Sequence, residues 1–409
     1  MKIRLSSLYL IKKEHLSTAL MNIAFIIAFL GSMNVWFMVP FYAVYPLFSF
    51  FLIASALFVQ NTFQHFSLEK NFIFIPVLLF LLLNCYIAVV NHQNINAYIK
   101  AFLNTGIVFG LCIYDKQKLQ AFSTLLAKLL GGFLLVSYPF FLLYLVGFPL
   151  PYVDMQFNDN FYSFSNYFLF LIDDRSLFSI IPRFQSIFLE PTYLGSTTAL
   201  LLLMQRGYWK KWYNLSMLFA LLISFSLAGY AYLIAIIFLN LWTNRKKVAA
   251  KALGAVLAIS LFIGGSFIYN GGNNLVHDLI ILRLSISDGE LEGNNRVTAD
   301  FDAEYKTFLQ SGDLLFGEDF NPEIFGNSGY QVFIFDYGLV GVILLFAFYL
   351  TLFSKAKNKR ASVSAWIVCL LIWGVDGFVL WFGRLIPLYI TAYRDGDTIQ
   401  PTENQNFKE

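Results

Sequence analysis

An arginine, a glutamate and a proline stand close together in an otherwise apolar stretch, Arg183-Phe-Gln-Ser-Ile-Phe-Leu-Glu190-Pro191-Thr-Tyr193-Leu-Gly195. A guanidinium keeps its charge at any working pH and grips phosphate or carboxylate oxygens through a planar pair of N–H donors. Pro191 suits the first turn of a helix, where its missing N–H is not needed. Glu190 then sits where the helix dipole favours negative charge. The competing reading is that Glu190 only complements that terminus and Arg183 only meets lipid head groups. A second arginine, Arg296, lies in Gly293-Asn-Asn-Arg296-Val-Thr-Ala. Its competing reading is a surface ion pair worth roughly 0–1 kcal/mol. Asp300-Phe-Asp302 has the Asp-x-Asp spacing of metal-dependent sugar-nucleotide enzymes. On a helix, residues two apart point to different faces, so no metal site is expected there.

The elements that must position these residues follow from composition. The chain is 58% hydrophobic and 13% charged, with mean hydropathy +0.64, where soluble domains carry roughly 25% charged residues. Apolar runs long enough for a ~30 Å hydrocarbon core recur along the chain. The expectation is an all-α polytopic integral membrane protein, a single membrane domain over residues 1–409 with about twelve transmembrane helices. They fall at roughly 16–32, 36–59, 71–90, 97–113, 121–147, 192–205, 213–227, 229–243, 252–270, 330–353, 362–376 and 378–393. The count is eleven if the last two runs form one bent helix. Breaks at Gly31–Asn34, Ser226–Gly229 and Asp376–Gly377 read as tight hairpins.

Twenty of the 28 lysines and arginines fall in breaks that would share one side, five fall in breaks on the other, and three lie inside apolar runs. Basic residues near span ends stay cytoplasmic, so the twenty mark the inside, and Arg183 and Arg296 face out. Lys2, Arg4, Lys12 and Lys13 precede an apolar run with no small-residue cleavage site after it, which reads as an uncleaved first helix. Two large periplasmic loops, about 148–190 and 271–329, hold 16 of the 25 acidic residues and many aromatic ones. Phe301, Tyr305, Phe308 and Leu309 recur at helical spacing, as in an amphipathic helix lying on the membrane surface. Asp336 and Arg384 each lie about six residues inside the outer end of a span, roughly 9–10 Å deep. A mutual intramembrane ion pair is the economical arrangement. Cys85, Cys112 and Cys369 sit within apolar runs, and the four histidines lack ligand spacing. Nothing in the charge pattern points to nucleic acid.

With these residues in order, the chain resembles the O-antigen polymerase (Wzy-type) family, related to the O-antigen ligase superfamily. Arg183…Phe188-Leu-Glu190-Pro191-Thr192 looks like that family's Arg…Phe-x-Glu-Pro-Ser/Thr element. Ser224-Phe-Ser226-Leu-Ala-Gly229-Tyr230 is similar to its Ser-rich hairpin. Asn295-Arg296, Leu315-Phe-Gly317 and Asn327-Ser328-Gly329-Tyr330…Gly338-Leu-Val-Gly341 follow its last large loop and the span after it. Two departures stand out. Ligases tend to carry a histidine where this chain has Asn327 or Ser328, and an Arg-x10-Gly spacing is missed by one residue at Gly195.

The resemblance implies a metal-independent glycosyltransferase of the bacterial inner membrane, without a cofactor. Its active site would face the periplasm. Its substrates would be undecaprenyl-diphosphate-linked oligosaccharides, joined into O-antigen or a similar surface polysaccharide, with membrane lipid and a chain-length regulator protein as partners. Arg183, Arg296 and Glu190 would be catalytic. The arginines would stabilise the diphosphate leaving group, and Glu190 would take the acceptor's proton or orient Arg183 or the sugar. Tyr193, Asn295, Asn327, Ser328 and Tyr330 would join the arginines in binding substrate. The alternatives are a flippase for the same lipid-linked unit and an O-antigen ligase. Charged residues within the spans are few and shallow, which favours the enzyme over the flippase.

Overall fold

Apolar runs become helices throughout the computed structural model, which describes residues 2–60, 73–157, 162–173, 182–206, 208–244, 248–272, 298–318, 329–375 and 377–394, with isolated positions between 274 and 291. The helices are α1 (Lys2–Gly31), α2 (Tyr45–Gln60), α3 (Phe74–Val90), α4 (Ile95–Ile113), α5 (Leu119–Leu145), α6 (Pro191–Met204) and α7 (Trp212–Ile223). There follow α8 (Leu227–Asn244), α9 (Val248–Ile268), α10 (Ala299–Phe308), α11 (Tyr330–Ser354), α12 (Lys359–Val375) and α13 (Phe382–Tyr393). Lys13–Gly31, Ile95–Ile113, Lys116–Leu145 (α5 with the 3-10 turn before it) and Tyr330–Ser354 are long and apolar enough to cross a membrane. Shorter apolar helices are Tyr45–Gln60, Phe74–Val90, Trp212–Ile223 and Leu227–Thr243. The last two apolar runs form separate helices rather than one bent helix.

Two short helices, α6 and α13, make the centre. From Tyr193 to Met204 every residue of α6 is buried, as is every residue of α13 from Phe382 to Ala392. Two of the hydroxyls buried in α6 return to their own helix: Ser196 Oγ donates to the Thr192 carbonyl at 2.7 Å and Thr198 Oγ1 to that of Leu194 at 2.8 Å, while Thr197 turns to Met33. That satisfies polar groups which would otherwise be costly away from water. Small residues let α6 approach α8 closely. A Cβ built on Gly195 would lie 3.1 Å from the Gly229 Cα and 3.1 Å from the Ser226 Cβ, the close backbone approach that small residues permit between membrane helices.

The basic breaks gather at one end of the bundle. Arg206 donates to the Thr391 and Arg394 carbonyls at 2.8 and 2.6 Å, and Arg394 donates back to Met204 at 2.6 Å. Each guanidinium thus serves the C-terminal carbonyls of the other central helix, where the dipole favours a cation. Lys116 reaches the Cys112 carbonyl and the Tyr389 hydroxyl. Lys118 pairs with Glu14 at 2.7 Å. Arg360 reaches the Trp242 carbonyl, and Tyr393 ties that level to Leu352. This is the Arg206 end; the opposite end carries Glu190.

Four expectations need correction. The Gly31–Asn34 break is no tight hairpin. The chain first crosses over, pairing Val35 with Phe188, and Trp36 N–H bonds the Ile187 carbonyl at 3.0 Å. A 3-10 turn over Trp36–Phe41, with Pro40 inside it, then delays α2 to Tyr45. The protein is also not wholly α. Val153–Phe157, Tyr162–Asn166 and Leu171–Asp173 form an antiparallel three-stranded meander, with Phe157 opposite Tyr162 and Asn166 opposite Leu171. Its Phe164 and Leu171 pack with Leu189 against Trp36 and Val39.

The third correction concerns α10, which does not lay its rings on lipid. Phe301, Tyr305 and Phe308 are buried against Phe335 of α11, with ring centroids 5.6 Å (Phe301) and 4.8 Å (Phe308) from it. Burial of rings against a protein surface satisfies the same amphipathic pattern. Lastly, α11 is broken at Gly338 (φ 59°, ψ −171°), in a region essentially open to glycine alone. Asp336 lies two residues before that break, so a depth counted along a straight helix does not apply to it.

Candidate functional site

The Glu190 end is assembled from connections rather than from helix sides. Glu190 occupies the position that opens α6, with extended backbone (φ −141°, ψ 146°), and its carbonyl accepts from Tyr193 N–H at 3.1 Å. Its carboxylate makes no capping bond to the first turn of α6. Helix complementation by hydrogen bonding therefore does not account for the residue. Leu189 N–H bonds the Asn34 carbonyl at 2.9 Å, which fixes the segment before Glu190 to the α1–α2 crossover.

Arg183 is half-buried and is held against the turn between α7 and α8. Its Nε donates to the Ser224 carbonyl at 3.3 Å, while Phe184 N–H bonds the Ile223 carbonyl at 3.3 Å. Its charge reaches the Tyr230 phenol. The turn itself is shaped by its serines: Ser224 Oγ accepts from Ser226 N–H at 3.3 Å, and Ser226 Oγ accepts from Gly229 N–H at 3.2 Å. Phe225 between them is left-handed (φ 47°). The Arg-x-x-x-x-x-x-Glu-Pro element and the Ser-rich hairpin, distant in sequence, are thus one local structure.

The late motif converges on the same end. Gly317 (φ 92°) and Gly338 face each other's backbone: a Cβ on Gly338 would lie 2.5 Å from the Leu315 oxygen, and one on Gly317 would lie 2.3 Å from the Asp336 oxygen. Tyr86 of α3 clasps both sides, its hydroxyl donating to the Phe316 and Tyr337 carbonyls at 2.8 and 2.9 Å. Gly329 (φ 98°) abuts Gly377 (φ 71°), where an added Cβ would meet the Gly329 oxygen at 3.3 Å. Tyr330, 43% exposed, therefore stands beside the α12–α13 connection, its ring 5.7 Å from that of Trp373. From there Phe378 stacks on Trp381, and Trp381 lies 5.7 Å from Tyr193, three residues beyond Glu190.

Arg384 is completely buried in the first turn of α13, and Asp336 is half-buried beside the α11 break. Arg296, Asn295, Asn327 and Ser328 lie outside the described residues. Asp300 and Asp302 open α10, whose cap is Thr298 accepting from Phe301 N–H at 3.2 Å. They sit where the helix dipole favours carboxylates. Among the described residues no group of three or more His, Cys, Asp or Glu is placed to hold a metal ion.

No family model, no curated protein and no solved structure matches the chain. What the site can do must therefore be argued from its own geometry. It offers a guanidinium set in a backbone niche, a carboxylate not engaged in capping, and aromatic rings between them and Tyr330. All of these stand at the N-terminal ends of the two central helices. Those helices are about 21 Å (α6, 14 residues) and 18 Å (α13, 12 residues) long at 1.5 Å per residue. Beside them α5 runs about 40 Å over 27 residues. Lys116, just before α5, touches Tyr389 and Tyr393 at the end of α13, so α5 begins at the level where the two central helices end. The site consequently lies well short of the far end of α5, roofed by the connections described above.

Sequence reasoning missed Trp381, Phe378, Asn34 and Tyr42. Tyr42 donates to Asn34 Oδ1 at 2.7 Å, and burial, then the neighbouring Tyr193 and Tyr45 phenols, push its own phenol above the ordinary range. In a chain with 46 phenylalanines and 23 tyrosines, single aromatic residues carry no spacing signal. The left-handed Gly377 just ahead of Phe378 was the one local hint.

Proposed function

We propose that the protein is a polymerase of lipid-linked oligosaccharides, acting from the outer leaflet of a bacterial inner membrane. The observation that carries this reading is the convergence of three motif regions, 183–195, 224–230 and the described residues 315–318 with 329–338, at the end of the bundle opposite the basic breaks. By the inside preference of basic residues, the Arg206 end is cytoplasmic and the Glu190 end faces the periplasm. The shorter apolar helices, with α9 and α12, complete a bundle of about twelve spans around α6 and α13. With a hydrocarbon core of ~30 Å, central helices of about 18–21 Å leave their outward ends below the membrane surface. A polyprenyl diphosphate keeps its tail in lipid and its phosphates at the polar boundary just above that level, within reach of a long side chain such as Arg183.

In the proposed reaction an acceptor sugar hydroxyl attacks the anomeric carbon of a donor unit. The new C–O bond forms as the bond from that carbon to the diphosphate oxygen breaks. The electron pair leaves on undecaprenyl diphosphate, where Arg183, with Arg296, offsets the developing charge. The hydroxyl proton passes to a base, for which Glu190 is the nearest motif-borne carboxylate. No metal is required, since guanidinium groups supply the positive charge. Deleting the gene and resolving the surface glycolipid on a gel tests the reading. A single-unit band in place of a ladder supports it. Loss of all units points to a flippase, and free core with lipid-linked polymer points to a ligase.

A further inference from the structure

The rings at the head of α13 lie where a substrate would meet the site. Phe378 and Trp381 stack with centroids 4.3 Å apart and planes 18° apart, and both are half-buried rather than sealed in the core. Trp381 continues to Tyr193 at 5.7 Å and 34°. Tyr193 N–H bonds the Glu190 carbonyl, and Glu190 makes no capping bond with its carboxylate. Tyr42, which donates to Asn34 Oδ1 at 2.7 Å, is near enough to Tyr193 for the two phenols to interact electrostatically. A run of ring faces thus leads from Phe378 through Trp381 to Tyr193, whose backbone is bonded to Glu190 and whose neighbourhood holds the Tyr42–Asn34 pair.

A pyranose has matching chemistry: one face of C–H bonds that packs on an aromatic ring, and a rim of hydroxyls that seeks acceptors and donors. Ligand sites characteristically combine such apolar surface with a few placed polar groups. We propose that Phe378 and Trp381 form a stacking platform for a pyranose of the acceptor unit, holding its hydroxyl toward Glu190. The assignment to the acceptor rests on the polymerase reading; the binding of a sugar ring does not.

The probe is the free oligosaccharide released by mild acid from the cells' own lipid-linked pool, added to purified full-length protein. Saturation-transfer NMR with irradiation of aromatic protons should show transfer to sugar ring C–H protons. Trp381→Leu should abolish that transfer and raise KM for the lipid-linked unit by about tenfold, within the range of one lost stacking contact, with kcat little changed. Trp381→Phe should keep both close to wild type. If Trp381→Leu does not fold, Phe378→Leu is read in the same way. No transfer to wild type, or unchanged transfer and KM after loss of the ring, overturns the platform. A protein that binds the free sugar but never extends lipid-linked units overturns the polymerase reading and leaves the platform standing. Normal extension with an unmoved KM does the reverse.

Discussion

Replacing Gly338 by alanine is a severe test of how the outer connections are held. Gly338 adopts φ 59°, ψ −171°, and a residue with a Cβ held in so sparsely populated a region costs about 1–3 kcal/mol. The added Cβ would lie 2.5 Å from the Leu315 oxygen, 2.6 Å from the Gly317 nitrogen and 2.6 Å from the Leu315 carbonyl carbon. These are backbone atoms, which cannot rotate aside, and forced overpacking costs about another 1–3 kcal/mol. The sum of about 2–6 kcal/mol exceeds the about 0.5–1.5 kcal/mol of each hydrogen bond that docks the turn at 312–318, from the Tyr86 hydroxyl to Phe316 and from Glu318 N–H to Phe335. The turn should therefore undock before α11 straightens. Glu318 N–H, bonded to the Phe335 carbonyl at 2.7 Å, reports this directly. Its hydrogen exchange should quicken by about 30-fold or more, at one decade per ~1.4 kcal/mol, and activity should fall. Gly132→Ala, at a helical position with nothing within 4 Å of the new Cβ, is the control and should be neutral or stabilising by up to about 1 kcal/mol. Unchanged exchange at Glu318 in Gly338→Ala would refute the backbone-contact argument.

Further outcomes are expected elsewhere. Arg183→Ala should collapse the glycan ladder toward a single unit at normal protein level. A charge-assisted contact of about 1.5–3 kcal/mol corresponds to roughly 10–200-fold in rate. Arg183→Lys should rescue only partly, because an ammonium lacks the bidentate fork; a full ladder from both Arg183→Ala and Arg296→Ala would remove these arginines from the site. If Asp336 and Arg384 pair, Asp336→Asn or Arg384→Gln alone should lower protein level by leaving a buried charge, at about 3–5 kcal/mol. The double variant should then recover it, and equal losses in single and double variants would show no coupling. For orientation, a cysteine at Val153, 66% exposed, should label with an impermeant thiol reagent in cells permeable only at the outer membrane. A cysteine at the exposed Lys357 should stay protected, and the reverse pattern would invert the topology.

Much of the fold was legible because a helix needs only local apolar sequence. The long apolar runs became helices, most with ends a few residues from those expected, although α1 already starts at Lys2 and α2 only at Tyr45, and Pro191 opened α6 as anticipated. What failed depended on partners distant in sequence. Nothing near Gly31–Asn34 announces that Val35 will pair with Phe188. The ring face of α10 was plain, but its target could be lipid or protein, and Phe335 decided for protein. The meander did leave a trace: Tyr162-Ser-Phe-Ser-Asn166 alternates aromatic and polar residues, the period of a strand. In the site, Arg183 and Glu190 stood out because charge is rare in this chain, whereas Trp381 is one ring among many until the fold sets it against Tyr193.

The central claim is that this chain alone joins lipid-linked units without a metal. Purified protein, given undecaprenyl-diphosphate-linked repeat units in excess EDTA, should produce a ladder of longer lipid-linked glycans and release one undecaprenyl diphosphate per linkage formed. Arg183→Ala should slow both in step. Absence of extension in EDTA that magnesium or manganese restores would contradict the arginine-based account and return Asp300 and Asp302 to consideration as ligands; absence of extension under any condition would contradict the polymerase reading itself.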